Sequence, residues 1–234
     1  PKLSTRTGGI IWSLLTVLLV RKYIRTQGRP DLIHAHFATW AGYTARLIYK
    51  WYKIPYVITE HASSINGNQT TPSQAVILKK SYSEARKIIC VGTKLKRSLY
   101  PYINDLDKVT VIPNFVDTST FKFSLHQTEK EKHFTFISTG NLNKRKGFRD
   151  LLVAFHRTFK EMPHVSLLIA GDGEEMQSLT EQIQSLQLQK QVKLTGRLSR
   201  EELSELLSTC DAFVLASYAE TFGIVFIEAM ATGL

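Results

Sequence analysis

The 234-residue chain is 43% hydrophobic and 21% charged, which excludes a disordered, collagen-like or disulfide-rich protein and allows one large or two small buried cores. Its net charge of +10 is uneven: residues 1–120 hold 17 Lys and Arg against 6 Asp and Glu, and residues 121–234 hold 13 against 14. An anionic partner is therefore expected for the first half alone.

The first apolar run, GGIIWSLLTVLLV (8–20), stops abruptly at Arg21-Lys22 and reads as a buried helix over about residues 10–26. A signal peptide does not fit, since no small-residue cleavage site follows it. Short β-branched runs then alternate with helical patterns: strand 31–37, helix 40–51, strand 56–61, a polar loop 63–73, helix 74–87, strand 87–92, a short helix and strand 108–114. This alternation is the mark of a parallel α/β sheet. The polar stretch 118–133 reads as a connection between domains, 1–117 and 134–234. The second series runs strand 134–140, helix 148–161, strand 165–173, helix 174–186, strand 191–196, helix 199–210, strand 212–217 and a closing helix at about 222–232. Ser199 followed by Glu202 is a capping box at the third of these helices. Pro1 and Leu234 both look like cut ends, so a longer parent protein is expected, and this piece alone is expected to be inactive. Cys90 and Cys210 lie beside apolar runs and read as buried thiols in a reducing compartment. CxxC and HExxH spacings are absent, which argues against a structural zinc. His34 and His36 share a strand face and read as packing or polar contacts rather than metal ligands.

Three segments of the second half fall between a strand and a helix: GNLNKRKG (140–147), AGDGEE (170–175) and YAETFG (218–223). In a doubly wound sheet all three lie on the ligand-binding edge. Lys144, Arg145 and Lys146 precede a helix N-terminus, where free N–H groups, the helix dipole and cationic side chains favour an anion. The GxxxxGK[ST] order of a phosphate-binding P-loop is absent. Glu220 and Glu228 are eight residues apart. Over eight helical residues the chain rises roughly 12 Å, so they cannot pair at one atom. They suit two hydroxyl-rich ends of one ligand with a phosphate between.

GNLNKRKGFRDLLVAF, LLIAGDGEEMQSL, VKLTGRLSREELSELLSTCDAFVLASYAETFGIVFIEAMATG and VIPNFVDTSTF resemble glycosyltransferase family 4, retaining enzymes of GT-B fold, through about residues 31–234. Its most specific element here is the E-x7-E spacing, Glu220 to Glu228. The resemblance implies two tandem Rossmann-like, doubly wound domains, both incomplete: an N-terminal acceptor domain and a C-terminal domain for a nucleotide-diphospho-sugar. That co-substrate would be used without a metal ion or further cofactor. The resemblance places Glu220 at the donor sugar and His61 near sugar and acceptor as catalytic residues. It places Gly140, Asn141, Arg145 and Lys146 at the diphosphate, and the backbone of Phe222, Gly223 and Ile224 at sugar hydroxyls and phosphate. Glu228 would accept from the ribose hydroxyls, and Asn114 sits at the domain junction in a structural role.

In the phosphate loop the chain departs from the family: Asn141 stands where Arg is usual, so a second phosphate cation must come from elsewhere, such as Lys144 or Arg145; the Gly-rich loop expected near the start of the first domain and the end of the nucleotide domain are also absent from this sequence. In the basic half, Ala75, Leu78, Tyr82 and Ala85 form one stripe of helix 74–87, with Lys79, Lys80, Arg86 and Lys87 beside it and Lys94, Lys96 and Arg97 beyond. Such a surface suits an anionic membrane. The expected protein is therefore a hexosyltransferase of polysaccharide or glycolipid synthesis, peripheral at the inner face of the cell membrane. Its acceptor would be a glycan or lipid-linked. An epimerase or phosphorylase on the same fold, or a binding-only protein, is the alternative. Nucleic acid is not expected, because the aromatics fall within apolar patterns rather than among Lys and Arg.

Overall fold

The computed structural model describes residues 5–66, 70–123 and 133–234; parts of the expected polar loop (67–69) and connecting segment (124–132) lie outside them. The chain divides into two compact units, Pro1–Asn114 and Phe115–Leu234.

The first unit begins with α1 (Thr5–Gln27) and continues β1 (Ile33–His36), α2 (Tyr43–Tyr52), β2 (Tyr56–Glu60), α3 (Ser63–Asn66), α4 (Pro72–Ser83), β3 (Lys87–Cys90), α5 (Thr93–Leu99) and β4 (Val109–Val111). Its four strands are parallel in the order β1-β2-β3-β4, without a reversal. The register pairs Ile33 with Tyr56 and Ile58 with Ile88. Ile58 and Ile88 are fully buried in the sheet, and Leu78 and Tyr82 of α4 are buried with them. The helix expected over 74–87 starts earlier, at Pro72. Thr71 caps it in a reciprocal box with Gln74, and Pro72 supplies a first residue that needs no N–H partner. It ends at Ser83 because Arg86 N–H turns to Tyr56 O and enters the sheet.

The expectation of a buried first helix is corrected. α1 buries only a narrow stripe, Gly9, Ser13 and Val17, with Val20 and Ile24 half-buried against α2. Ile10, Ile11, Trp12, Leu14, Leu15, Leu18, Leu19 and Tyr23 are exposed. A helix apolar on all sides reads as buried all round, yet this one finds neighbours along one line. Its segment Thr7–Gln27, 21 residues, is also long and apolar enough to cross a membrane by length and composition.

The second unit contains β5 (Phe134–Thr139), α6 (Phe148–Phe159), β6 (Val165–Ala170), α7 (Met176–Ser185), β7 (Val192–Gly196), α8 (Arg200–Leu207), β8 (Ala212–Phe213) and α9 (Ile224–Thr232). Its parallel order is β7-β6-β5-β8, so the winding reverses between β5 and β8. One core gathers Phe148, Leu152, Leu167, Ile169 and Leu179. Another gathers Phe121, Ile137, Leu207, Cys210 and Ala229. Phe121 falls in the segment expected as a connection, but it is buried in this unit and joined to α8 by Ser204 Oγ–H donating to Thr120 O at 2.8 Å. Both cysteines are buried free thiols, and burial first, with Glu60 second, pushes Cys90 up to about 12.

Candidate active site

In an open α/β sheet the ligand crevice lies at the carboxyl ends of the strands where winding reverses. Here that point is the gap between β5 and β8, and the loops that follow them are 140–147 and 214–223. Backbone bonds stitch these loops: Tyr218 N–H donates to Arg145 O at 2.9 Å, and Ser217 Oγ–H to the same oxygen at 3.3 Å. Gly147 holds φ 67 at the start of α6, and a Cβ there would stand 2.1 Å from Ala216 O. Only glycine allows this approach.

The stitching places Lys146 against Glu220. Lys146 Nζ lies 2.5 Å from Glu220 Oε1, which also accepts from Ser217 Oγ at 2.9 Å. Both side chains are largely shielded, at 12% and 25% exposure, so the pair interacts more strongly than a surface pair. The Lys146 stem passes Gly140, 3.4 Å from where a Cβ would be. Gly223 holds φ 80 and opens α9, whose first turn directs N–H groups back toward this loop. Phe222 is half-buried and Ile224 exposed there.

Only the segment from Ile224 to Glu228 is helical, so the all-helical separation taken from sequence does not apply to Glu220 and Glu228. The two carboxylates nonetheless have separate surroundings. Glu228 is 9% exposed on α9, and burial raises its pKa against the opposing pull of Arg200. Arg200 Nη2 is 4.0 Å from Glu228 Oε1, and its guanidinium lies over the Phe121 ring, 5.4 Å from the centroid. The second loop, 171–175, folds against the first: Leu142 N–H donates to Asp172 O and Glu175 N–H to Leu142 O. Between them is a cavity of about 450 Å³ lined by Gly140, Asn141, Gly171, Asp172, Gly173 and Arg197.

Arg197 is thus a cation on the same cavity as Asn141 that sequence reasoning passed over. Lys144 instead lines a separate cavity with Arg149, Asp150, Glu175 and Tyr218. Arg145 is exposed, and its carbonyl is the one that ties the two loops. Ser217 and Arg200 were also missed; only their spacing, three residues before Glu220 and one after the Ser199 cap, could have drawn notice.

His61 belongs to the first unit. Its Nε2 is 3.2 Å from His36 Nδ1, with the rings stacked, and His34 Nε2 is 2.7 Å from Thr59 Oγ1. Burial first, then the neighbouring His36, lowers the pKa of both His34 and His61, so both favour the neutral form. A cavity of about 860 Å³ opens beside them, walled by Trp12, Phe37 and Trp40 and by the polar His36, His61, Ser63 and Gln74. Among the described residues, no three His, Cys, Asp or Glu side chains are grouped to hold a metal ion.

A family model described as Glycosyltransferase Family 4 matches residues 4–120, and one described as Glycosyl transferases group 1 matches residues 120–234. The chain is a family 4 glycosyltransferase sequence. This family 4 chain is 28% identical to the glycogen synthase of Mycobacterium tuberculosis over 213 residues, covering 88% of the chain and 51% of that relative. It is 27% identical to the alpha-monoglucosyldiacylglycerol synthase of Streptococcus pneumoniae over 229 residues, covering 90% and 52%. It therefore spans about half the length of these curated relatives. Among solved structures, Anabaena HepE in complex with UDP and glucose superposes with a TM-score of 0.77 at 23% identity, over 92% of this chain and 61% of that one. Sucrose-phosphate synthase of Thermosynechococcus elongatus gives 0.79 at 21%, over 93% and 58%. These likenesses establish the fold as GT-B.

Proposed function

We propose that the protein transfers a hexosyl group from a nucleotide-diphospho-sugar to a glycan or lipid-linked acceptor, with retention of anomeric configuration and without a metal ion. The observation that carries this reading is the shielded Lys146–Glu220 pair at the winding reversal of the second sheet. Charge develops on the departing diphosphate, and a preorganised ammonium stabilises it. Lys146, held by Glu220 and bordering Gly140, supplies that charge, with Arg197 in place of the arginine absent at 141. Glu220 orients the sugar, the first turn of α9 meets its hydroxyls and phosphate, and Glu228 accepts from the ribose. His61, largely neutral, serves the acceptor in the first unit's own cavity. HepE, solved with UDP and glucose, supports the donor class, and the diacylglycerol synthase name supports a lipid acceptor.

The test is consumption and transfer of UDP-, GDP- and ADP-sugars by the protein at full length, with and without EDTA. One donor used in both conditions, with product of the same anomeric configuration, is the expected result. Loss of turnover in EDTA, restored by a divalent cation, would overturn the metal-free reading. No turnover of any donor by folded protein would leave binding alone.

The reading extends to a peripheral position on the cytoplasmic face of the cell membrane. Lys79 and Lys80 on α4 are exposed, and α1 presents exposed apolar side chains such as Trp12, Leu15, Leu18 and Leu19 with Arg21, Lys22 and Arg25 and no acidic residue. Vesicle sedimentation checks this: binding should need anionic lipid and weaken with salt. Equal binding to neutral vesicles would end it.

A further inference from the structure

Among the described residues of the first unit, Glu60 is the one carboxylate that is fully buried, at 0% exposure. It is not among the residues that the family resemblance singles out. Four donors from three places meet its two oxygens. Oε1 accepts from His61 N–H at 3.0 Å and Ala62 N–H at 2.9 Å, in the turn after β2. Oε2 accepts from Ala38 N–H at 3.0 Å, in the turn after β1, and from the Tyr82 hydroxyl of α4 at 2.6 Å. Burial, and next Glu60, pushes the Tyr82 hydroxyl well above its ordinary pKa, so it stays a donor. A buried charge is tolerated when it is this fully hydrogen-bonded, and removing its partners is costly.

The two turns it joins are the walls of the first unit's cavity. The turn after β1 is strained: Phe37 has φ 70 and Trp40 φ 59, a region that bulky residues rarely adopt. Something must hold it, and Ala38, next to Phe37, is anchored on Glu60. Gly9 of α1 gives room on the other side, since a Cβ there would meet the Trp40 ring at 2.0 Å. The turn after β2 carries His61 itself. One carboxylate therefore fixes both the backbone of His61 and the turn that brings His36 and Phe37 to the same cavity.

We propose that Glu60 is a positioning residue: it clamps the turns after β1 and β2 so that His61 and His36 face one acceptor-side cavity in fixed register. This rests on the role given to His61 above. The closest variant is Glu60→Gln. Its amide oxygen keeps the His61 and Ala62 bonds, while its NH2 group faces Ala38 N–H and releases that turn. Tyr82 can reverse and accept.

The experiment compares wild type and Glu60→Gln in transfer kinetics and in histidine NMR titration. kcat for transfer should fall about tenfold or more, with donor KM within about twofold, because donor binding belongs to the second unit. The titrating neighbours of His61 are His36, His34 and Glu60, and Glu60 is the one that raises its pKa. The His61 midpoint should therefore move lower in the variant. Unchanged kcat with an unmoved midpoint overturns the proposal. So does an equal loss of donor binding and turnover with an unmoved midpoint, which marks a merely structural carboxylate. Should Glu60→Gln fail to fold, hydrogen exchange in the wild type decides. The Ala38, His61 and Ala62 amides should be protected together although all lie in turns, and free exchange at open-loop rates overturns the clamp. Absent turnover with every donor would instead sink the glycosyltransferase reading, while titration and exchange still answer for Glu60.

Discussion

The two units build their candidate sites by different means. In the second unit topology makes the crevice: strand order reverses between β5 and β8, the loops part, and Lys146 and Glu220 meet in the gap at 2.5 Å. In the first unit the described strands run in one order without reversal, and the walls of the cavity converge on a buried carboxylate instead. A reversal is a property of the whole sheet and survives most single substitutions. A clamp made by one side chain does not. The charges follow the same division: a partly exposed pair beside the winding reversal in the second unit, a fully buried carboxylate beneath two turns in the first.

The sharpest way to break this comparison is to remove one catalytic candidate from each unit. Lys146→Ala should lower kcat about 10²–10³-fold for donor hydrolysis and for transfer alike, as loss of a preorganised transition-state contact does. It also removes the ammonium from Glu220, which keeps the Ser217 hydroxyl. His61→Ala should reduce transfer while leaving nucleotide binding unchanged by calorimetry. Equal loss of nucleotide binding in both variants would mean that the division between units is wrong.

That asymmetry also decides what could be read beforehand. Glu220, Glu228, Gly140 and Lys146 stand in local strings, each one loop or one helix start, so the strand–helix alternation marked the segments, and the family resemblance supplied the roles expected of the residues. The Ser199 box is local in the same way, and the structure contains it as expected. Glu60 is invisible in the string VITEHAS, because its partners Ala38 and Tyr82 are 22 residues away on either side. Arg197 is more remote still in sequence from Asn141, with which it lines one cavity. α1 misled because its sequence is apolar on every face, while its burial was set by how many neighbours it meets. β8 is two residues long rather than six, since after Phe213 the chain keeps only the Val214 N–H bond to Ile137 O before turning into the site loop. Local pattern carries elements and caps; contacts between distant loops carry the site's supports.

A smaller effect separates the two carboxylates within the second unit. Burial raises the Glu228 pKa, so acid protonates it early and removes its best acceptor. Donor KM in the wild type should therefore rise as pH falls through that raised value. Glu228→Gln should have a donor KM about tenfold higher at neutral pH and no such pH dependence, since a neutral amide replaces a charge-assisted acceptor. Its stability should not suffer. A carboxylate with a raised folded pKa contributes stability below its ordinary value, and that contribution is lost as pH rises through the raised one, so at neutral pH nothing remains to lose. A flat wild-type KM across the acid range would remove Glu228 from the ribose.

The smallest effect compares the units' helix starts. Thr71 and Gln74 box the N-terminus of α4, and Ser199 and Glu202 box that of α8. The geometry is the same, but only the second contains a titrating group. The Ser199 backbone N–H first, and its hydroxyl next, hold Glu202 below its ordinary value of 4.5. A depressed carboxylate contributes stability that is present above 4.5 and lost as pH falls through the lowered folded value. Protection of the Glu202 amide against hydrogen exchange should therefore fade in acid, while that of the Gln74 amide holds once the intrinsic pH dependence of exchange is removed. Thr71→Ala should cost α4 about 1 kcal/mol at every pH. If both amides lose protection together in acid, the fraying belongs to whole units unfolding and not to their caps.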